Sequence, residues 1–232
     1  MRVLYGFTLA AAIAALVPVS GVQAQDTSKG VAGGGITVAG WTGKVDESKE
    51  NTGLTIKDAK FVAEGKGFHI TTGPAVTYWN PKNMASGNYT VSATFAEPKF
   101  QGLNNHPHPY GIMIAGNDLD TATPSMLYCS AYGNGNFIVR GFGPASFSLS
   151  ARKPEPNAAI KKVAPGEAVT QDVALSVKGD KIECAVNGTV VGSYDKAAAV
   201  GAGKLKSTDG VYGLRFGHNT EAVVTNFRMT KN

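Results

Sequence analysis

The stretch ALSVKGDKIECAVNGTVVGSY (Ala174–Tyr194) holds three short runs of alternating character divided by two turns. Leu175 and Val177 alternate with Ala174 and Ser176, and Ile182, Cys184 and Val186 share one side of an extended chain. Asn187-Gly188 separates the second run from the third. A two-residue type I′ turn needs positive φ at both central positions, and asparagine followed by glycine meets that need best. Lys178-Gly179-Asp180 is a weaker signal of the same kind. The stretch therefore reads as consecutive antiparallel hairpins.

The same grammar extends over most of the chain. Upstream, strands are predicted at 36–45, 60–65, 67–72, 75–79, 88–96, 110–116, 126–132 and 136–142. Downstream of Gln171 they are predicted at 172–179, 181–187, 189–195, 210–217 and 222–230. In NYTVSATFA, Tyr89, Val91, Ala93 and Phe95 face one way, with Thr90, Ser92 and Thr94 facing the other. Only the alanine-rich stretches NAAIKKV (157–163) and KAAAVGAG (196–203) have helical character. About a dozen half-apolar strands must bury their faces against each other, which calls for an all-β, two-sheet antiparallel sandwich in one domain.

Residues 1–24 read as a cleavable signal peptide. Arg2 supplies the positive start, LYGFTLAAAIAALVPV the apolar centre, and Ala24 the small residue at the cleavage point. Residues 25–35 form a glycine-rich flexible lead-in, and 36–232 the sandwich. The apolar run is short and broken by Pro18, so no membrane span is expected in the mature chain, which is placed in the periplasm or outside the cell. Such a compartment is oxidising. Cys129 and Cys184 are the two cysteines, and alternation turns both toward the core. A bridge within the core and two inert buried thiols both satisfy that pattern, and export makes the disulfide Cys129–Cys184 the expected one.

The net charge is +5, yet the densest basic pairs are only Arg152-Lys153 and Lys161-Lys162. A protein that binds nucleic acid needs a basic stripe or face, and no such stripe is visible, so no nucleic-acid partner is assigned.

The order of elements resembles the concanavalin A-like jelly roll, in particular its bacterial 3-keto-disaccharide hydrolase-like and laminin G-like members. The residues carrying the resemblance are Gly40-Trp41, GNYTVSATF, HPHPYGIMIAGNDL and MLYCSAYGNGNFIVRGF. They continue with Val186-Asn187-Gly188 and end in GVYGLRFGHNTEAVVTNFRM with its Phe227. The resemblance implies a jelly-roll sandwich over residues 36–232 and a function connected with sugars. Laminarinase-like jelly rolls carry E-x-D-x-x-E on one strand, and that triplet does not occur here.

The candidate site follows from what a sugar requires. Its C–H faces stack on Trp or Tyr, and its hydroxyls need directional polar partners. Tyr128 and Tyr132 stand on the face of their strand opposite Cys129. Arg140, Arg215, His69, His218 and Trp79 supply further candidates from other strands, provided that MLYCSAY, NFIVRGF and GVYGLRFG share a concave sheet. His106 and His108 of HPHPYG project to one side of a proline-stiffened loop, and they join the ligand-binding set. As metal ligands these two would need His69, His218 or Asp118 as partners, an incomplete set, so no metal is assigned. No cofactor is called for. Calcium at Asn117-Asp118-Leu119-Asp120 remains an option through its oxygens, although the EF-hand glycine and distal glutamate are missing.

These readings lead to a glycan or small saccharide held on a concave sheet. The alternatives are a glycoside hydrolase-like enzyme of the keto-disaccharide type, implied by the resemblance, and a cell-surface structural or adhesion module. Paired carboxylates would favour the enzyme.

Overall fold

A computed structural model describes Met1, residues 27–101 and residues 108–232 of the chain. The expected signal peptide and His106 lie outside the described residues.

The first half of the chain forms β1 (Gly35–Ile36), β2 (Thr42–Val45), β3 (Ala59–Glu64), β4 (Gly67–Thr72), β5 (Val76–Ala85), β6 (Tyr89–Glu97) and β7 (Tyr110–Asn117). Next come β8 (Ser125–Ala131), β9 (Asn136–Phe142), β10 (Phe147–Ser148) and β11 (Glu155–Pro156). The rest comprises β12 (Val169–Lys178), β13 (Lys181–Val186), β14 (Thr189–Asp195), the single-turn helix α1 (Lys196–Ala199), β15 (Gly210–Phe216) and β16 (Glu221–Lys231). The first sheet has the order β1-β3-β4-β16-β6-β12-β13-β14, and the second β10-β9-β8-β7-β15-β5-β2, with β11 paired to β9. All neighbours are antiparallel except β1 and β3. The chain is thus an all-β, two-sheet jelly-roll sandwich, as its alternation requires. Among the described residues no helix is long and apolar enough to cross a membrane.

The core lies between the sheets and follows the period of two. From the first sheet, Val91, Phe95, Leu175 and Ile182 meet Tyr78, Ile112, Leu127 and Phe216 of the second, all fully buried. Phe95 stacks on Tyr110 with ring centroids 5.1 Å apart. The cysteines settle between their two options: Cys129 of β8 and Cys184 of β13 form a disulfide with a Cα–Cα distance of 6.0 Å, joining one sheet to the other. Asn187 and Gly188 have φ of 51° and 81°, as the hairpin requires.

Three local expectations need correction. The single strand predicted at 36–45 is two strands in different sheets. The chain turns at Gly40, whose φ is 78°, and Trp41 then lodges against Phe61 and Phe227 with centroids 5.0 and 5.6 Å away. NAAIKKV is not helical; it forms a turn and an isolated bridge from Lys162 to Asn134. In KAAAVGAG only the first four residues are helical, since Gly201 and Gly203 hold positive φ values. The glycine-rich segment before β1 is tied down where it is described: Val31 donates to the Asp58 carbonyl at 3.1 Å, and Lys29 to Asn219 Oδ1 at 2.9 Å.

Candidate functional site

The strand register assembles most of the predicted sugar-facing residues on the outer face of the second sheet. Arg140 lies opposite Tyr128, Tyr128 opposite Met113, Met113 opposite Gly213, and Gly213 opposite Trp79. One residue pair further along, Ile138, Ser130, Gly111, Arg215 and Thr77 form the next row. Strand alternation places both rows on the side away from the core. The strands MLYCSAY, NFIVRGF and GVYGLRFG do share a sheet, with β7 between the first and the last. Trp79, Met113, Met126, Tyr128, Tyr132 and Ile138 make a second apolar cluster there, joined by Leu119 from the loop after β7.

Arg215 organises the centre of this face. It is only 7% exposed. Its Nη1 donates to Asp46 Oδ1 at 2.6 Å and to Thr77 Oγ1 at 2.9 Å, while Nη2 donates to Asp46 Oδ2. The guanidinium carbon also stands 5.1 Å from the Tyr128 ring centroid and 5.6 Å from that of Phe142. Burial by itself works against the charged form of Arg215. The adjoining Asp46 carboxylate and the Tyr128 hydroxyl outweigh it and hold the pKa above the ordinary arginine value. Two-point pairing with a carboxylate is the geometry in which a buried guanidinium is best tolerated. The Tyr128 hydroxyl is raised by burial, and the Arg215 charge partly opposes that rise.

Two clefts open beside this centre. One, of about 370 Å³, runs between Asp46, Thr77, Met126 and Phe142 and the loop carrying Ala122, Thr123 and Pro124. The other, of about 560 Å³, is bounded by Trp79, Met84, Lys44, Asn117, Asp118 and Asp120. Aromatic and thioether surface beside carboxylates, amides and an ammonium is suited to a ligand with apolar faces and a hydroxyl rim. In the loop after β7, Asn117 Nδ2 donates to the Ala115 carbonyl at 3.1 Å, and the Asp118 carbonyl accepts from Thr121 Oγ1 at 2.8 Å. Among the described residues, no three His, Cys, Asp or Glu side chains are placed to hold a metal ion.

The histidines lie elsewhere. His69 is on the outer face of the first sheet, where Nε2 meets Glu221 at 2.8 Å and Nδ1 meets Glu64 at 2.9 Å. That is the opposite side of the sandwich from Tyr128. His108 and His218 continue the inward-facing alternation of β7 and β15 beyond the strand ends. Their ring centroids are 4.7 Å apart, and His218 Nδ1 is 3.3 Å from Ser28 Oγ. Both belong to the packed end of the sandwich. Arg140 is half-buried at the flank of the aromatic row and donates from Nη2 to the Arg152 carbonyl at 2.5 Å.

The sequence reading missed Asp46, Thr77 and Lys44. No local pattern marks Asp46 as the partner of a residue 169 positions away. The alternation of β2 does put Lys44 and Asp46 on one face, and that was the available signal.

No protein-family model matches the sequence, and no curated protein does. Solved structures share the architecture. The carbohydrate-binding module CBM66 from Bacillus subtilis superposes with a TM-score of 0.55 at 11% identity, covering 84% of this chain and 98% of its own. Beta-agarase A from Zobellia galactanivorans superposes with a TM-score of 0.53 at 10% identity, covering 83% of each chain. At such identities the likeness is one of fold, and the fold is the concanavalin A-like jelly roll.

Proposed function

We propose that the protein is an exported carbohydrate-binding jelly roll whose outer second-sheet face receives a glycan. The observation that carries this reading is the pair of adjoining clefts beside the Arg215–Asp46 pair, one lined by Phe142 and Met126 and the other by Trp79, over a layer in which Tyr128 and Tyr132 are buried. The fold shared with a carbohydrate-binding module and an agarase supports the same class of ligand. The sheet-to-sheet disulfide fits export into an oxidising compartment, consistent with the amino-terminal signal pattern.

At the centre of the face binding is favoured over hydrolysis because Asp46 is occupied on both oxygens by Arg215, which leaves Asp118 and Asp120 of the second cleft as the carboxylates that a hydrolytic reading would have to use. A general acid or base must be able to exchange a proton with its substrate, and a carboxylate clamped by a guanidinium is poorly placed to do so.

The test is a glycan array probed with the chain beginning at Gln25, with and without EDTA. Saturable binding is expected, and it should survive EDTA. Arg140→Ala and Tyr128→Phe should each weaken it about tenfold, about 1.4 kcal/mol, by removing one polar contact while keeping the core intact. An array without signal, or unchanged affinity in both variants, would remove the assignment.

A further inference from the structure

The basic pairs Arg152-Lys153 and Lys161-Lys162 are separate in sequence, but the fold brings both to one edge of the second sheet. β11 pairs with the start of β9, matching Glu155 to Phe137 and Pro156 to Asn136. The chain just before β11 therefore runs beside Arg140, whose guanidinium donates to the Arg152 carbonyl. After β11 the chain turns back along residues 133–135. The Asn157 amide donates to the Gly135 carbonyl at 3.1 Å, Lys162 bridges Asn134, and the Val163 amide donates to the Gly133 carbonyl at 2.9 Å. Arg152, Lys153, Lys161 and Lys162 are all exposed. Glu155 and Glu167 are the nearby acids in these segments, and each carboxylate already accepts a backbone N–H at 2.8 Å, from Ala151 and Ala164.

Lys161 and Lys162 line a cleft of about 710 Å³ together with Asn134, Asn136, Asn157 and Pro156. Asn136 is on the same face of β9 as Ile138 and Arg140. Arg140 is four positions further along the strand, about 13 Å away. The cleft therefore meets the outer face at Asn136, at the end of β9 away from Phe142, while Lys161 Nζ reaches across to donate to the Thr170 carbonyl of β12 at 2.8 Å. Clustered cations beside a concave surface raise the local concentration of anions, an effect that salt weakens.

We propose that the groove is built for an acidic glycan, whose carboxylate or sulfate groups lie against Lys161 and Lys162 beside the turn between β8 and β9. The proposal rests on the glycan reading of the same face and specifies its ligand class. Three asparagines in the cleft supply amide donors and acceptors for the sugar hydroxyls, while the lysines supply the charge.

The test compares polymers that differ in charge on one backbone: polygalacturonate with its fully methyl-esterified form, and dextran sulfate with dextran. Binding is measured at low and physiological salt. A charged polymer should bind at least tenfold more tightly than its neutral counterpart, with salt narrowing the gap. Lys161→Gln/Lys162→Gln should reduce the charged affinity about tenfold and leave the neutral affinity alone. Lys60→Gln/Lys66→Gln, which removes the same charge on and beside the first sheet, should change neither. Preference for either charged polymer supports the proposal and identifies the anion. Equal affinity for charged and neutral partners overturns it, as does an equal loss in the two lysine variants, which would assign the attraction to net charge. Neutral ligands on the array with no charged polymer bound would overturn this proposal alone. An empty array would remove the groove reading as well.

Discussion

Glu97 closes the inward-facing set Tyr89, Val91, Ala93 and Phe95 of β6, and it is 1% exposed. A carboxyl in that position is expensive to ionise. Burial pushes its pKa up from 4.5 to about 8, and the backbone N–H of Gln101 offsets only part of the rise. Tyr110 feels the same charge, and its own hydroxyl titrates well above this range. Because the folded protein holds the proton more tightly than the unfolded chain, Glu97 costs nothing below pH 4.5. Its penalty grows as pH rises toward 8 and is constant above that. At about 1.4 kcal/mol per pKa unit the full penalty is about 5 kcal/mol, of which about 3 kcal/mol is present at pH 7. Glu97→Gln keeps the shape and abolishes the titration, at the expense of burying an amide, about 1–3 kcal/mol. The two stability curves must therefore cross. The variant should be less stable than the wild type at pH 4.5 and more stable at pH 8, measured by urea unfolding at fixed ionic strength in half-unit steps. Parallel curves between those limits would refute the reasoning.

Two further outcomes follow from the packing. Replacing Cys129 and Cys184 together by serine releases a loop spanning 55 residues, which should cost about 4 kcal/mol and lower the Tm by about 10 °C in non-reducing buffer; an unchanged Tm would contradict the inter-sheet role of the bridge. Asp46→Asn leaves the Arg215 guanidinium buried without its counter-charge and should cost about 3–5 kcal/mol, whereas Asp46→Leu with Arg215→Met should cost less than Asp46→Asn alone. A double variant no more stable than Asp46→Asn, measured by chemical denaturation, would show that the pair is not coupled.

Local chemistry determined much of this protein. Alternation and the bounding turn residues together located β4, β9 and β14 at their observed limits, and Asn187-Gly188 marked a hairpin because few other residues accept its two positive φ values. Alternation also turned Cys129 and Cys184 inward and Tyr128 and Arg140 outward, since a strand offers a side chain only two sides. What it left undecided was which strands become neighbours. The break at Gly40, the choice of disulfide over free thiols and the pairing of Arg215 with Asp46 each depend on distant segments meeting. So do the displacement of His69 to the opposite sheet and the gathering of two basic pairs along β9. The period of two assigns a side chain to a face, but strand order and register assign faces to one another. Those are set by how both sheets together bury their apolar sides, a condition satisfied only by the whole chain.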